Sequence, residues 1–158
     1  MKQLRIGDEA PDFTLTDHTG ALFNLAAGLK SGSVVLVFYT LDGSPTCTTF
    51  LCAINTDVDE LARHNIQIVG INYADADSHG KMARSKYLRL PLLTDGQYQV
   101  ARLYNSLYEI GPIKAIRYSV VGVGTDGRIT YMQRGKPTNA QILEGMGVRS
   151  SSERSATA

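Results

Sequence analysis

The 158-residue chain is predicted to fold as a single α/β domain, a mixed sheet flanked by helices. Three observations carry this prediction. Apolar runs typical of buried strands alternate with segments of helical periodicity, strand pairs are joined by turn residues, and 43% apolar content is enough for one sizeable core. The domain is expected to span residues 1–148, and the polar tail 149–158 is expected to be disordered.

The first third of the chain predicts a hairpin, a buried strand and a long helix. Residues 13–16 and 22–25 alternate apolar and polar side chains around Asp17-His18-Thr19-Gly20, as an early N-terminal hairpin does. Residues 34–39 form an unbroken apolar run that indicates a buried strand. A helix is predicted from about Pro45 to near His64, with an apolar stripe at Leu51, Ile54, Val58 and Leu61.

The remaining elements continue the alternation of strands and helices. Strands are predicted at 66–72, 92–95, 117–124 and 128–134, and helices at about 75–88, 97–106 and 138–146. Thr125-Asp126-Gly127 is a strong hairpin signal between the last two strands. A helical crossover should make strands 34–39 and 66–72 parallel neighbours, so the turn after residue 39 lies where open α/β sheets usually carry ligands.

Composition and charge indicate which partners and which cellular compartment to expect for the protein. A net charge of +1 provides no strong field to attract nucleic acid or a membrane surface. No apolar run approaches the roughly 20 residues that span a bilayer, and residues 1–8 lack the apolar core of a secretory signal. Two cysteines without such a signal favour a reducing, cytoplasmic compartment, where cysteine pairs are more often catalytic than structural.

Both cysteines lie in the segment 40–52, which is the predicted functional site. Ser44 offers an N-cap oxygen and Pro45 suits the first helical position, so Cys47 falls at about the third residue of a helix. The first N–H groups of a helix present roughly half a unit of positive charge, which favours a thiolate and lowers the pKa of a cysteine placed there. Cys47 is therefore a candidate nucleophile.

Cys52 stands five residues further along the same predicted helix. Ideal helical geometry separates the two cysteine Cα atoms by about 8.7 Å, whereas a disulfide needs about 4.4–6.8 Å. A bond between them would therefore require the start of the helix to unwind. Packing as a small buried hydrophobe is the alternative, and it is as well supported for Cys52, flanked by Leu51, Ala53 and Ile54, as a redox role is.

No metal or cofactor site is predicted. The three histidines, His18, His64 and His79, are scattered and do not form a zinc spacing with the cysteines, so surface or capping positions are expected for them. Asp75 and Asp77 lack the calcium-loop spacing and are expected to cap a helix.

The segment 40–52 resembles the active-site motif of the peroxiredoxins, most closely the subfamily called peroxiredoxin Q or bacterioferritin comigratory protein. That motif reads Pro-x-x-x-Thr/Ser-x-x-Cys and often continues Thr-x-Glu-x-Cys. Thr40, Ser44, Cys47 and Cys52 occupy the first, second, third and last of these fixed positions. The likeness runs from Gly7 to about position 145 and implies a thioredoxin-like fold with the peroxiredoxin additions.

The resemblance also implies a thiol-dependent peroxidase. Cys47 would be the peroxidatic cysteine that becomes a sulfenic acid, and Cys52 the resolving cysteine that closes an intramolecular disulfide. Ser44 would hydrogen-bond the peroxide, and Arg117, which opens the predicted strand 117–124, would reach the thiolate. The substrate would be hydrogen peroxide or an alkyl hydroperoxide, the reductant thioredoxin or a similar dithiol, and the protein a monomer without a cofactor.

Two positions depart from the family pattern. Thr40 replaces a proline that shields the thiolate, and Phe50 replaces a glutamate that orients the arginine. We expect an altered cysteine pKa or substrate preference from these replacements. Tyr39 and Phe50 are candidates for the wall of the substrate pocket, with core packing an equal alternative for Tyr39. Chemistry alone would leave Arg117 solvated or paired at the surface.

Two other functions stay open at this point. The first is a redox sensor whose disulfide unwinds a helix and alters a partner surface. The second is a protein thiol–disulfide oxidoreductase, although that chemistry is usually carried by Cys-x-x-Cys and four residues separate the cysteines here.

Overall fold

The structure, a computed structural model, describes residues 3–148 and contains one large sheet, one small hairpin and six helices within that range. The expected disordered tail, 149–158, lies outside the described residues. The strands are β1 (Thr14–Asp17), β2 (Leu22–Asn24), β3 (Ser33–Phe38), β4 (Ile66–Asn72), β5 (Leu92–Thr94), β6 (Leu107–Ile110), β7 (Ile113–Ile116), β8 (Ser119–Val123) and β9 (Ile129–Arg134). The helices are α1 (Leu25–Gly28), α2 (Pro45–Asn55), α3 (Val58–Arg63), α4 (Ala76–Lys86), α5 (Gln99–Leu103) and α6 (Asn139–Gly145).

The large sheet has the mixed strand directions that the sequence predicts. Its order is β2-β1-β5-β4-β3-β8-β9, and β3, β4 and β5 run parallel. The predicted parallel pairing of β3 with β4 is confirmed, as are the early β1–β2 hairpin and the β8–β9 hairpin. None of the helices within residues 3–148 is long and apolar enough to cross a membrane.

The central strand β3 divides the apolar core into two halves. Val35 and Val37 face one half with α2 and α4, whereas Val34, Leu36 and Phe38 face the other half with α1 and α5. All five side chains are fully buried. Each contributes roughly 1.5–3 kcal/mol of hydrophobic stabilisation, so β3 is a rigid platform from which the following turn, residues 39–44, extends.

The predicted helix from Pro45 to near His64 is wrong in its length, because it is broken into α2 and α3. The carbonyl of Ala53 accepts hydrogen bonds from Thr56 Oγ1 (2.6 Å) and from Asn139 Nδ2 (2.8 Å). A side-chain hydroxyl that competes for a helical carbonyl favours a break there. Asn139 also donates to Asp57 Oδ2 (2.9 Å), so the start of α6 docks on the junction.

The helix predicted at 97–106 is also shorter than expected. Tyr98 (φ 58°) and Asn105 (φ 59°) are left-handed and bound α5 on both sides. The buried Asp95 carboxylate accepts hydrogen bonds from the N–H groups of Val100 (3.2 Å) and Ala101 (2.8 Å), which satisfies donors at the start of the helix.

The β6–β7 hairpin was not predicted from the sequence. Gly111, with φ 55°, and Pro112 form its turn, and this pair was the available signal. The hairpin forms a sheet of its own, and Ile110 and Ile113 beside the turn are exposed, so the pattern of core-facing residues is weak. Its last residue, Ile116, is buried and delivers the chain to β8.

Gly32, directly before β3, lies close to the backbone of Asn65, and this close approach predicts the effect of a substitution on stability. A Cβ on Gly32 would collide with the backbone carbonyl oxygen of Asn65, which accepts the N–H of Ser33 (2.9 Å). Gly32→Ala should therefore lower the free energy of unfolding by about 2 kcal/mol, the usual cost of overpacking. The control is Gly20→Ala, where φ is +90° and no atom lies within 4 Å of the added Cβ. Chemical denaturation should show the larger loss for Gly32→Ala, and equal losses would contradict the collision.

Candidate active site

Cys47 lies at the start of α2, just beyond the carboxyl end of β3. Ser44 is the N-cap with extended backbone (φ −69°, ψ 146°), and its Oγ accepts the N–H of Cys47 (3.2 Å). Pro45 is the first helical residue, so Cys47 is the third, as the local sequence predicts. The side chain is buried, with only 1% of the residue exposed. The site therefore combines a helix N-terminus with a sulfur removed from bulk water.

Polar groups converge on Cys47 Sγ. The hydroxyl of Tyr118 lies 2.6 Å from it, and the backbone N–H of Leu41 donates to it at 3.4 Å. Burial raises the pKa of the Cys47 thiol, but hydrogen bonds from the Ser44 and Tyr118 side chains and from the Leu41 and Thr40 backbone outweigh that effect. The pKa of Cys47 consequently lies below its usual range, which favours the thiolate.

Tyr118 was not among the residues predicted for the site. Its ring packs edge-on against Phe50 (centroids 5.9 Å apart, 75° between planes), and Lys136 Nζ lies 5.0 Å from its ring centroid. Burial and the hydrogen bond with Cys47 raise the pKa of Tyr118 to about 12, although the nearby side chains of Thr40 and Ser44 lower it in part. The phenol therefore keeps its proton at neutral pH and can donate it in a hydrogen bond.

Thr40 and Phe50, the two departures from the family motif, both lie at this site. Thr40 Oγ1 donates to the carbonyl of Ile116 (2.9 Å), which ties the catalytic turn to the end of β7. Phe50 is buried and supports the Tyr118 ring, so it belongs to the packing beneath the sulfur.

The structure places Arg117 away from the sulfur. Its side chain is exposed, and its guanidinium carbon lies 5.2 Å from the ring centroid of Tyr108. The reason is that Arg117 and Tyr118, which directly precede β8 and are not part of it as predicted, continue the alternation of side chains along that strand. Val120 packs in the half of the core that contains Cys47 and Val121 packs in the other half, so Tyr118 shares the face of Val120. Arg117, one residue earlier, points to the opposite side.

Cys52 lies in the same uninterrupted helix as Cys47. It is half-buried, and it packs against the core that contains Cys47. Both cysteines carry free thiols. The geometry is that of a reduced pair separated by more than one helical turn, in agreement with the separation expected from the sequence.

Tyr39 occupies the packed position that was the equal alternative to a place in the pocket wall. It is fully buried, and its hydroxyl donates to Asp42 Oδ1 (2.7 Å). The Asp42 carboxylate, in the turn before α2, also accepts from Asn72 Nδ2 (3.1 Å), Ser78 Oγ (2.7 Å) and His79 Nδ1 (2.7 Å). These four donors tie Asp42 to Tyr39, which directly follows β3, and to β4 and α4, which fixes the backbone that leads to Cys47.

His79 is a second correction, because a surface or capping position was expected and the residue is fully buried. Its Nε2 lies 3.1 Å from the carbonyl of Leu93, which can only accept, so Nε2 carries a proton. Its Nδ1 faces the Asp42 carboxylate. Burial raises the pKa of Asp42, but bonds from His79, Ser78 and Tyr39 lower it by more, so Asp42 is held as the anion.

The other polar residues considered in the sequence have structural positions. Asp75 Oδ1 accepts the N–H of Ser78 (2.9 Å) as the N-cap of α4, which confirms its capping role. His18 Nδ1 accepts the N–H of Leu92 (3.4 Å), and His64 lies 3.3 Å from Glu60. Within residues 3–148, no group of three or more His, Cys, Asp or Glu side chains could hold a metal ion.

Comparison with known proteins shows similarity to one family. The model of the AhpC/TSA family matches residues 6–132. The protein named "Putative peroxiredoxin bcp" from Helicobacter pylori (strain ATCC 700392 / 26695) is 34% identical over 154 residues, covering 92% of this chain and 100% of the relative. "Peroxiredoxin Bcp" from Escherichia coli (strain K12) is 30% identical over 104 residues, and the match covers 66% of each chain.

Solved structures show the same relationship. Peroxidoxin BcpB from Mycobacterium tuberculosis superposes with a TM-score of 0.84 at 25% identity, covering 94% of this chain and 100% of that one. A peroxiredoxin Q mutant from Xylella fastidiosa superposes with a TM-score of 0.82 over 100% of both chains, at 17% identity. These neighbours confirm the predicted thioredoxin-like fold.

The clamp on Asp42 predicts a pH-dependent loss of stability in Asp42→Asn. Asparagine cannot carry the negative charge that accepts these hydrogen bonds, so the substitution should cost on the order of 3 kcal/mol at pH 7. Because the folded-state pKa of Asp42 lies below its ordinary 3.8, the stability it provides is present above that value and is lost as the pH falls through the folded pKa. Urea unfolding should show the difference from wild type shrinking on acidification below about pH 4.

The matched control for this prediction is Asp59→Asn. Asp59 pairs with Arg89 at 2.7 Å, but both side chains are mostly exposed (74% and 51%), so water screens the interaction. Its substitution should change the unfolding free energy much less. A loss for Asp42→Asn that does not depend on pH would contradict the stabilising role of the Asp42 carboxylate anion.

Proposed function

The chain belongs to the AhpC/TSA family, and from this membership we propose that it is a thiol-dependent peroxidase whose nucleophile is Cys47. The observation that carries the proposal is the environment of the sulfur. Cys47 Sγ is buried, sits at a helix N-terminus and is within hydrogen-bonding distance of Tyr118 and Leu41. Such an arrangement favours the thiolate, the form that attacks an oxygen–oxygen bond.

In the first step, a lone pair of the Cys47 thiolate forms a bond to the terminal oxygen of a hydroperoxide. The oxygen–oxygen bond breaks, and its electron pair leaves on the other oxygen, which takes up a proton to give an alcohol, or water when the substrate is hydrogen peroxide. Cys47 is oxidised by two electrons to sulfenic acid, and the peroxide is reduced by two. Ser44, whose hydroxyl oxygen accepts the backbone N–H of Cys47, is proposed to orient the peroxide. Thr40 is proposed to act beside Ser44 at the same site.

In the second step, the Cys52 thiol attacks the sulfenic sulfur, which releases water and forms the Cys47–Cys52 disulfide. The first turns of α2 must open for this, because five helical residues hold the Cα atoms too far apart. The bonds that open include Cys47 N–H to Ser44 Oγ (3.2 Å) and Thr48 N–H to the Ser44 carbonyl (2.9 Å). Unwinding also draws the buried side chains of Cys47 and Phe50 out of the core.

In the last step, a dithiol reduces the disulfide by thiol–disulfide exchange and becomes oxidised itself. We propose thioredoxin or a similar dithiol protein as this reductant. The cycle needs no metal or organic cofactor, because sulfur passes through its reversible oxidation states.

The roles of the two cysteines can be tested with single substitutions. Rapid mixing with hydrogen peroxide should show fast oxidation in wild type and in Cys52→Ser, and the rate constant should fall by at least about 1,000-fold in Cys47→Ser, because a serine hydroxyl stays protonated. Intact mass should report a disulfide in wild type and a sulfenic acid, trapped by dimedone, in Cys52→Ser. Peroxide consumption that survives Cys47→Ser would contradict the proposal.

The unwinding of α2 is a separate prediction. Addition of one equivalent of peroxide to the wild type should reduce the helical far-ultraviolet circular dichroism signal, and a dithiol should restore it. The control is Cys52→Ser, which forms the sulfenic acid without the disulfide and should keep its helical signal. Hydrogen exchange at Thr48 and Thr49 should become faster only in the disulfide form. Unchanged helicity in a protein shown to hold the disulfide would contradict the unwinding.

A further inference from the structure

We propose that Tyr118 is a catalytic residue, and that its phenol donates the hydrogen bond to Cys47 that the family resemblance assigns to Arg117. The proposal deepens the peroxidase function above, and it rests on that function for its effect on peroxide reduction. Its effect on the ionisation of Cys47 follows from the geometry alone.

The contact between the two side chains is direct. Tyr118 OH lies 2.6 Å from Cys47 Sγ, and a thiolate has no proton to give, so the phenol is the donor when Cys47 is ionised. Hydrogen bonds to an ionised group are the strong ones. Because the sulfur is almost entirely removed from water, this bond replaces hydration that the thiolate has lost.

The surroundings of Tyr118 hold its hydroxyl on the sulfur. Phe50 packs edge-on against the ring, and Lys136 places an ammonium group 5.0 Å from the ring centroid. The phenol, with a pKa of about 12, stays protonated through the pH range in which Cys47 ionises, so it remains a donor throughout.

Arg117 cannot replace Tyr118 without a change in the strand. The two residues are adjacent and point to opposite sides, and moving Arg117 to the sulfur would require a one-residue slip of β8. Such a slip would exchange the faces of Val120 and Val121, both buried, and would break the register in which Val120 pairs with Val37. The packing of β8 therefore fixes which side chain reaches Cys47.

The test measures the pKa of Cys47 from thiolate absorbance near 240 nm in a Cys52→Ser background, where Cys47 alone titrates among the thiols. Tyr118→Phe removes only the hydroxyl and should raise the Cys47 pKa by about one to two pH units, the effect of losing a hydrogen bond to an ionised group. The rate of reaction with peroxide at pH 7 should fall by about the same factor, 10- to 100-fold, and should recover in part at a pH above the new pKa.

The matched control is Tyr131→Phe. Tyr131 is half-buried against the same part of the core, and its hydroxyl is buried without a hydrogen-bond partner among residues 3–148. Its substitution removes the same atom but should leave the Cys47 pKa unchanged. Tyr118→Arg supplies a different donor from the same backbone position and should keep the Cys47 pKa at or below the wild-type value.

Three outcomes would overturn the inference. They are an unchanged Cys47 pKa in a folded Tyr118→Phe, an equal rise in Tyr131→Phe, and a larger rise in Arg117→Ala than in Tyr118→Phe. Should Tyr118→Phe fail to fold, Tyr118→Leu, which also lacks the hydroxyl, is compared with Arg117→Ala in the same way. The titration needs no peroxide turnover, so a wild type that consumes no peroxide would refute the proposed function while leaving the assignment of Tyr118 testable.

Discussion

An ionised sulfur that is shielded from water persists only where polar groups replace its lost hydration, and the architecture around Cys47 meets this requirement. The end of β3 delivers the turn, Ser44 caps the helix, and the backbone N–H of Leu41 faces the sulfur together with the hydroxyl of Tyr118. Burial alone would hold Cys47 in its neutral form, and these donors reverse that tendency. The reactivity of the site depends on this balance.

The turn before Ser44 is held in place, whereas the helix after Ser44 has to open. Before Ser44, the carboxylate of Asp42 holds the turn to Tyr39, Asn72 and α4 through buried hydrogen bonds. After Ser44, the first turns of α2 have to open if the cysteines are to pair. Hydrogen bonds to a buried carboxylate are costly to break, so the clamp confines the rearrangement to the helix and keeps the platform below it intact.

The replacement of the motif's glutamate by Phe50 agrees with Tyr118 as the residue that contacts the sulfur. A glutamate at position 50 would serve to orient an arginine, and no arginine of the described residues contacts Cys47 Sγ. Phe50 instead packs edge-on against the Tyr118 ring. Thr40, which replaces a proline, donates to the Ile116 carbonyl and so ties the turn to the end of β7. A phenol supported by an aromatic ring thus stands where the motif would lead one to expect a guanidinium supported by a carboxylate.

The sequence by itself determined the strand, the turn, the capped helix and the place of Cys47 at its third residue, because the signals for these features lie within a few residues of one another. It also predicted the parallel pairing of β3 with β4, which follows from the helical crossover that joins them. Only the tertiary structure decided which side chain meets the sulfur. Tyr118 is 71 positions away, and its choice over Arg117 depends on the face that each of these two residues presents as the chain enters β8, which the packing and register of β8 fix. The buried contact between Asp42 and His79, 37 positions apart, could not be predicted for the same reason, because the sequence around either residue does not indicate its partner.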